Sequence, residues 1–176
     1  MKTSRRLAGL FLAIVMMFTL AVSVSAIDGG SITIDNAVKD QTYTIYEILY
    51  LESYNKDSGA YSYKAKADWN VFINGADIKN VYVNVDDQGY VTWKDNADPA
   101  AFAKLAQKYA TDHRIVNQGS MKAENATVTF TNLELGYYLV DTTLGTLCSL
   151  DTTTPSVTIK EKNAEPTNVK TVEEDS

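Results

Sequence analysis

At 176 residues, with 45% hydrophobic side chains, the chain is long enough for about one domain with a proper core, and its single cysteine excludes an internal disulfide. Acidic residues outnumber basic ones 22 to 16, which argues against nucleic acid or an anionic lipid surface as a partner. One histidine, His113, without metal-ligand spacing around it, and no Gly-rich phosphate loop leave no catalytic set, so neither an enzyme nor a cofactor is expected.

Lys2, Arg5 and Arg6 make a basic start, and Leu7 to Val24 is an almost unbroken apolar run. Val24-Ser25-Ala26 supplies the small residues that a signal peptidase needs, so residues 1–26 read as a signal peptide cleaved after Ala26. The run approaches the length of a membrane span, which makes an uncleaved anchor the alternative. The small-residue exit and the polar Asp28-Gly-Gly30 favour cleavage, secretion and no membrane attachment afterwards. The leader carries three of the 16 basic residues and none of the 22 acidic ones, so the mature charge is 13 minus 22, or −9.

Ser31 to Ile34 alternates polar and apolar residues and predicts a first strand. Thr42 to Tyr50 is rich in β-branched and aromatic residues, which suit a half-buried pleated surface. Asn55 to Gly59 is turn chemistry, and Ala60 to Lys64 starts another extended piece. Two segments break the pattern before and after a predicted hairpin. Trp69, Phe72 and Ile73 lie at helical spacing within Asp68 to Asn74. The hairpin follows, with Val81 to Val85 and Tyr90 to Trp93 around a glycine-bearing loop. Asp98-Pro99 then opens a second helix, the aspartate as cap and the proline at the first helical position. Its apolar stripe, Phe102, Leu105, Ala106 and Tyr109, predicts a face packed on the sheets.

The β pattern resumes at Ala126 to Phe130. Asn132 to Gly136 predicts a turn, and Tyr137 to Asp141, Gly145 to Leu150 and Ser156 to Lys160 predict the last strands. Cys148 lies in an apolar run and reads as a small buried hydrophobe. Residues 164–176 are acidic, lack a core pattern, and read as a linker or the start of a following domain. Short strands around a helical insertion argue a mainly β sandwich over residues 27–163.

Phe130-Thr-Asn-Leu-Glu-Leu-Gly136-Tyr-Tyr-Leu-Val-Asp141 resembles the late-strand signature of collagen-adhesin B-type (CnaB-like) immunoglobulin-like domains. From Ile32 through Thr42-Tyr-Thr-Ile-Tyr-Glu-Ile-Leu49 to Lys162, the mature chain is similar to the N-terminal domain of sortase-assembled fimbrial proteins of Gram-positive bacteria. That resemblance implies a structural subunit of a covalently polymerised cell-wall pilus that supports adhesion. Its partners would be a sortase, neighbouring pilin subunits and a host surface ligand. Val157-Thr-Ile-Lys160-Glu161-Lys162-Asn163 resembles the family's pilin motif, Val-x-Val-Tyr-Pro-Lys-Asn, with Lys160-Glu161 in place of Tyr-Pro. The resemblance makes Lys162 the inter-subunit isopeptide candidate, with Lys170 as its rival. The residue-level alternative for Lys162 is a solvated lysine at a domain end.

In the same family a buried acid promotes an internal Lys–Asn bond, and Asp141 falls at that acid's position. The first strand carries no lysine, so no internal cross-link is expected, and Asp141 reads as a strand-end residue. The sequence shows no Leu-Pro-x-Thr-Gly signal. Within that resemblance it is expected to be either the front piece of a longer product or a chain that cannot by itself be polymerised or anchored as a donor. A free-standing secreted adhesin that binds a glycan or host protein is the second functional reading. It draws on Tyr43, Tyr46, Tyr50, Tyr54, Tyr61 and Tyr63, about half of which should point into the core by strand alternation.

Overall fold

The computed structural model describes residues 29–142, 146–151 and 154–161. They form a mainly β chain of two sheets and few helices. Strand β1 (Gly30–Asp35) lies between β10 (Ser156–Lys160) and β7 (Thr127–Leu133) in the smaller sheet, parallel to the first and antiparallel to the second. The larger sheet runs β4 (Val83–Val85), β5 (Tyr90–Trp93), β3 (Ala60–Ala65), β2 (Thr42–Asn55), β8 (Gly136–Asp141) and β9 (Thr146–Leu150), with β6 (Gly119–Lys122) also on β2.

Two apolar cores follow from the alternation of these strands. Ile32 and Ile34 of β1 meet Tyr43, Ile45, Phe130, Tyr138 and Val140 between the sheets. On the other side of the large sheet, Ile48 and Leu139 pack against the helical segments. Those segments are a 3₁₀ turn (Ala67–Trp69), α1 (Asn70–Asn74), α2 (Ala76–Lys79) and α3 (Pro99–His113). Trp69 and Phe102 are fully buried there, and Phe72 meets both rings edge-on at centroid distances of 5.6 and 5.4 Å. Paired aromatic edges of this kind add to what area burial alone supplies.

The expected helix start at Asp98 is present. Its Oδ1 accepts the N–H groups of Ala100 (2.9 Å) and Ala101 (3.2 Å), satisfying donors that the first helical turn leaves open. Asp98→Ala should lower stability by about 1 kcal/mol, and an unchanged urea midpoint would count against the cap. The buried face differs from the predicted stripe: Phe102, Ala103, Ala106 and Ala110 point inward, while Leu105 is exposed. Three alanines let the helix lie close to its neighbours, and that turns the larger Leu105 outward.

Three further elements depart from expectation. Strand β2 runs to Asn55, five residues past the predicted end, because a bulge between Leu51 and Ser53 bends it and restores its pairing with β3. Strand β6 was not predicted, since Gly-Ser-Met-Lys has little strand character of its own. It forms by pairing Gly119 to Lys122 with Ile45 to Thr42. Strand β7 continues through Asn132 to Leu133, so the turn into β8 is shorter than the predicted Asn132 to Gly136.

Candidate functional site

The closing edge of the small sheet is built from β1 and β10. Their parallel register runs from Ser31 opposite Ser156 to Asp35 opposite Lys160. The Ser31 hydroxyl donates to the Ser156 hydroxyl (2.9 Å), and the Ser31 N–H donates to the Pro155 carbonyl (2.9 Å). Val157 and Ile159 turn toward the core between the sheets, while Ser156, Thr158 and Lys160 are exposed. One residue past the strand, the Glu161 N–H still donates to the Asp35 carbonyl (2.9 Å). The Glu161 side chain is buried, and its Oε2 has no hydrogen-bond partner among the described residues. Lys162, Asn163 and Lys170 lie outside the described residues.

Asp141 ends β8, as a strand-end reading expects, and is half-buried. Its Oδ1 accepts a hydrogen bond from the Gln107 side-chain amide of α3, which also donates to the Thr142 carbonyl (3.0 Å). Asp141 thus ties the long helix to the sheet edge. No described lysine is ion-paired with it.

A second polar cluster centres on β2. Glu47 lies in the middle of β2 and is only 2% exposed. Its Oε2 receives the Lys66 ammonium at 2.7 Å, and the same ammonium reaches Glu134 at 3.5 Å. Burial raises the Glu47 pKa, with the Lys66 contact pulling the other way. Burial also works against the Lys66 charge, but the Glu47 and Glu134 carboxylates outweigh it and raise that pKa. Glu47 Oε1 has no hydrogen-bond partner among the described residues. Beside this cluster the Tyr138 hydroxyl donates back to the Glu134 carbonyl (2.9 Å), which locks the turn between β7 and β8.

The sequence reading did not single out this cluster. Its one legible sign was an acid between Tyr46 and Ile48, within an otherwise apolar run. Lys66 stands just past β3, not on the first strand, and only the pairing of β2 with β3 brings it to Glu47. As it stands the cluster is an ion pair, able to stabilise or strain the sandwich according to the charge on Glu47.

Cys148 belongs to the core between the sheets, and burial pushes its thiol up to about 12. A thiol so protonated is a poor nucleophile at neutral pH. His113 is exposed near the end of α3, stacked on Tyr109 at 4.0 Å. No group of three or more potential metal ligands occurs among the described residues, and no helix among them is long and apolar enough to cross a membrane.

In comparisons with known proteins, the chain matches no family model and no curated protein.

Proposed function

We propose that this chain is the N-terminal, CnaB-like immunoglobulin domain of a covalently polymerised bacterial surface pilus, joined to its neighbour through Lys162. The supporting observation is the closing edge: β10 pairs with β1 and stays hydrogen-bonded through Glu161, the residue immediately before Lys162. The candidate acceptor therefore directly follows a stapled final strand. The Tyr138 bond to the Glu134 carbonyl supports the immunoglobulin-like part of the reading, since such a tyrosine corner marks the same strand entry in those domains.

The transfer asks little of the subunit. A sortase holds the preceding subunit as a thioacyl group. The Lys162 nitrogen, once deprotonated, attacks the acyl carbon; the carbon–nitrogen bond forms, the carbon–sulfur bond breaks, and the enzyme's thiolate leaves. The amine proton must pass to a base, and the buried Glu161 is the adjacent carboxylate in sequence. In a longer product, tension entering at the Lys162 side chain would leave along the backbone that follows it. The sandwich would then stand beside the load and not within it. An internal cross-link would be dispensable there.

The test is acyl transfer by a pilus-building sortase from a Leu-Pro-x-Thr-Gly peptide, read by mass spectrometry of proteolytic fragments. Modification should map to Lys162, vanish in Lys162→Arg, and persist in Lys160→Arg and Lys170→Arg. A product that survives Lys162→Arg, or fibres from the cell surface with no branched peptide at Lys162, would sink the reading.

A further inference from the structure

The small sheet ends in a free edge at β10. In a parallel ladder each residue turns its N–H and C=O to one side, and the residues next to it turn theirs to the other. The Ser31 N–H donates to the Pro155 carbonyl and the Glu161 N–H to the Asp35 carbonyl, so residues 155, 157, 159 and 161 face β1. Ser156, Thr158 and Lys160 therefore point their backbone donors and acceptors away from the sheet. All three residues are exposed, and β1 is the only strand paired with β10 among the described residues. Backbone groups in such a row are a template for another strand.

Apolar burial along this edge is incomplete. Val157 and Ile159 pack toward the core between the sheets, yet both remain only half-buried. On the opposite edge of the same sheet, Val128 and Phe130 of β7 are 6% and 5% exposed. A strand added at β7 would bury little further apolar surface. One added at β10 would cover the flanks that Val157 and Ile159 still show to water, and so gain hydrophobic burial as well as backbone hydrogen bonds.

The edge fits a second copy of itself. Its outward residues are placed evenly about Thr158, so an antiparallel copy sets Thr158 opposite Thr158 and Ser156 opposite Lys160. Every outward residue then meets an outward residue. On the core side Val157 comes opposite Ile159 twice, a β-branched pairing that stabilises sheets. No like charges face each other. The two Lys160 side chains are offset by about 13 Å along the strands, beyond the screening length at physiological salt, and each lies opposite Asp35 in its own sheet. We propose that β10 is a dimerisation edge, at which two copies of this chain join their three-stranded sheets into one continuous sheet. Strands of five residues put the contact at the small, reversible end of interface sizes. The −9 on each mature chain opposes association at long range, so added salt should strengthen it. The dimer does not depend on the linkage at Lys162, and its failure would leave that reading intact.

The test is sedimentation velocity on the whole chain without its leader, in reducing buffer, from micromolar to millimolar concentration. The sedimentation coefficient should rise with concentration toward that of a dimer, and more steeply in added salt. Thr158→Lys sets two ammonium groups against each other on the dimer axis and should stay monomeric throughout, with an unchanged urea midpoint. Thr158→Pro removes only an outward N–H, leaves the ladder to β1 intact, and should do the same. Thr129→Lys, on β7, should dimerise as the parent does. Amide exchange locates the contact: the Thr158 N–H should exchange freely in dilute solution and be protected in concentrated solution. A parent that is monomeric at every concentration, a dimer that survives in a folded Thr158 variant, or loss of the dimer in Thr129→Lys would each overturn the proposal. Protection of Thr158 that is independent of concentration would do so too, because the edge would then be covered from within the chain.

Discussion

A Gly136→Ala chain is expected not to fold. A Cβ built on Gly136 would lie 2.2 Å from the Leu49 carbonyl oxygen and 3.1 Å from Glu47 Oε1. The first contact is with backbone, and that backbone cannot retreat. Leu49 sits within β2, which pairs with β8 from Thr44 opposite Asp141 to Glu47 opposite Tyr138 and with β3 on its other side. The Leu51 N–H also donates to the Leu135 carbonyl at 2.9 Å, one residue from the substitution. Relieving the clash means parting β2 from β8, so the expected loss exceeds about 3 kcal/mol, beyond ordinary overpacking. Gly89→Ala is the contrast: Gly89 has a φ of 83° but open space around its Cα. Only the left-handed backbone is strained there, at about 1 to 2 kcal/mol. Circular dichroism and urea titration of the two variants separate the cases. A folded Gly136→Ala chain with a midpoint near the parent's would show that the sheet can yield where these contacts say it cannot.

Much of this architecture was legible because local chemistry and tertiary placement agree. Asp98-Pro99 carries its own cap and helix start, and Ser156 to Lys160 alternates as the edge strand it becomes. The hairpin of β4 and β5 needed only a glycine-bearing turn between strand-like runs. What sequence alone did not give depends on partners distant in the chain. Gly119 to Lys122 is a strand only because β2 offers an edge. The inward face of α3 was displaced because alanine helps a helix pack closely but leaves little trace in an apolar pattern. Of the six tyrosines singled out between Tyr43 and Tyr63, Tyr43 and Tyr63 are buried and the other four half-buried. Alternation expects about half of them in the core, and two of the six are buried. The linkage candidates Lys162 and Lys170 were named from a resemblance, and the structure contributes only the strand that leads to the first of them.

Replacing Lys66 with methionine should destabilise the sandwich by about 2 to 3 kcal/mol at pH 7, because it leaves the buried Glu47 carboxylate without its cation. The figure sits at or below the low end for broken interior pairs, since the Lys66 side chain is 32% exposed and water screens part of the interaction. The pH dependence identifies the cause. The folded-state pKa of Glu47 lies above its ordinary value of 4.5. Its contribution is therefore fully present below that value and is lost as pH rises through the folded pKa. Without Lys66 the carboxylate is penalised further, and its folded pKa climbs again. As pH falls from 7 to 5 the variant should recover stability faster than the parent, and the gap between them should narrow. Lys66 itself, raised from 10.5, stays charged throughout that interval and adds no slope. Glu47→Gln placed on Lys66→Met removes the stranded charge and should return part of the loss at pH 7 while flattening the pH dependence. If Lys66→Met instead loses the same amount at both pH values, the damage lies in the lost contact of the Lys66 ammonium with the Tyr50 ring, 5.8 Å away. The charge on Glu47 would then have no part in the stability that Lys66 supplies.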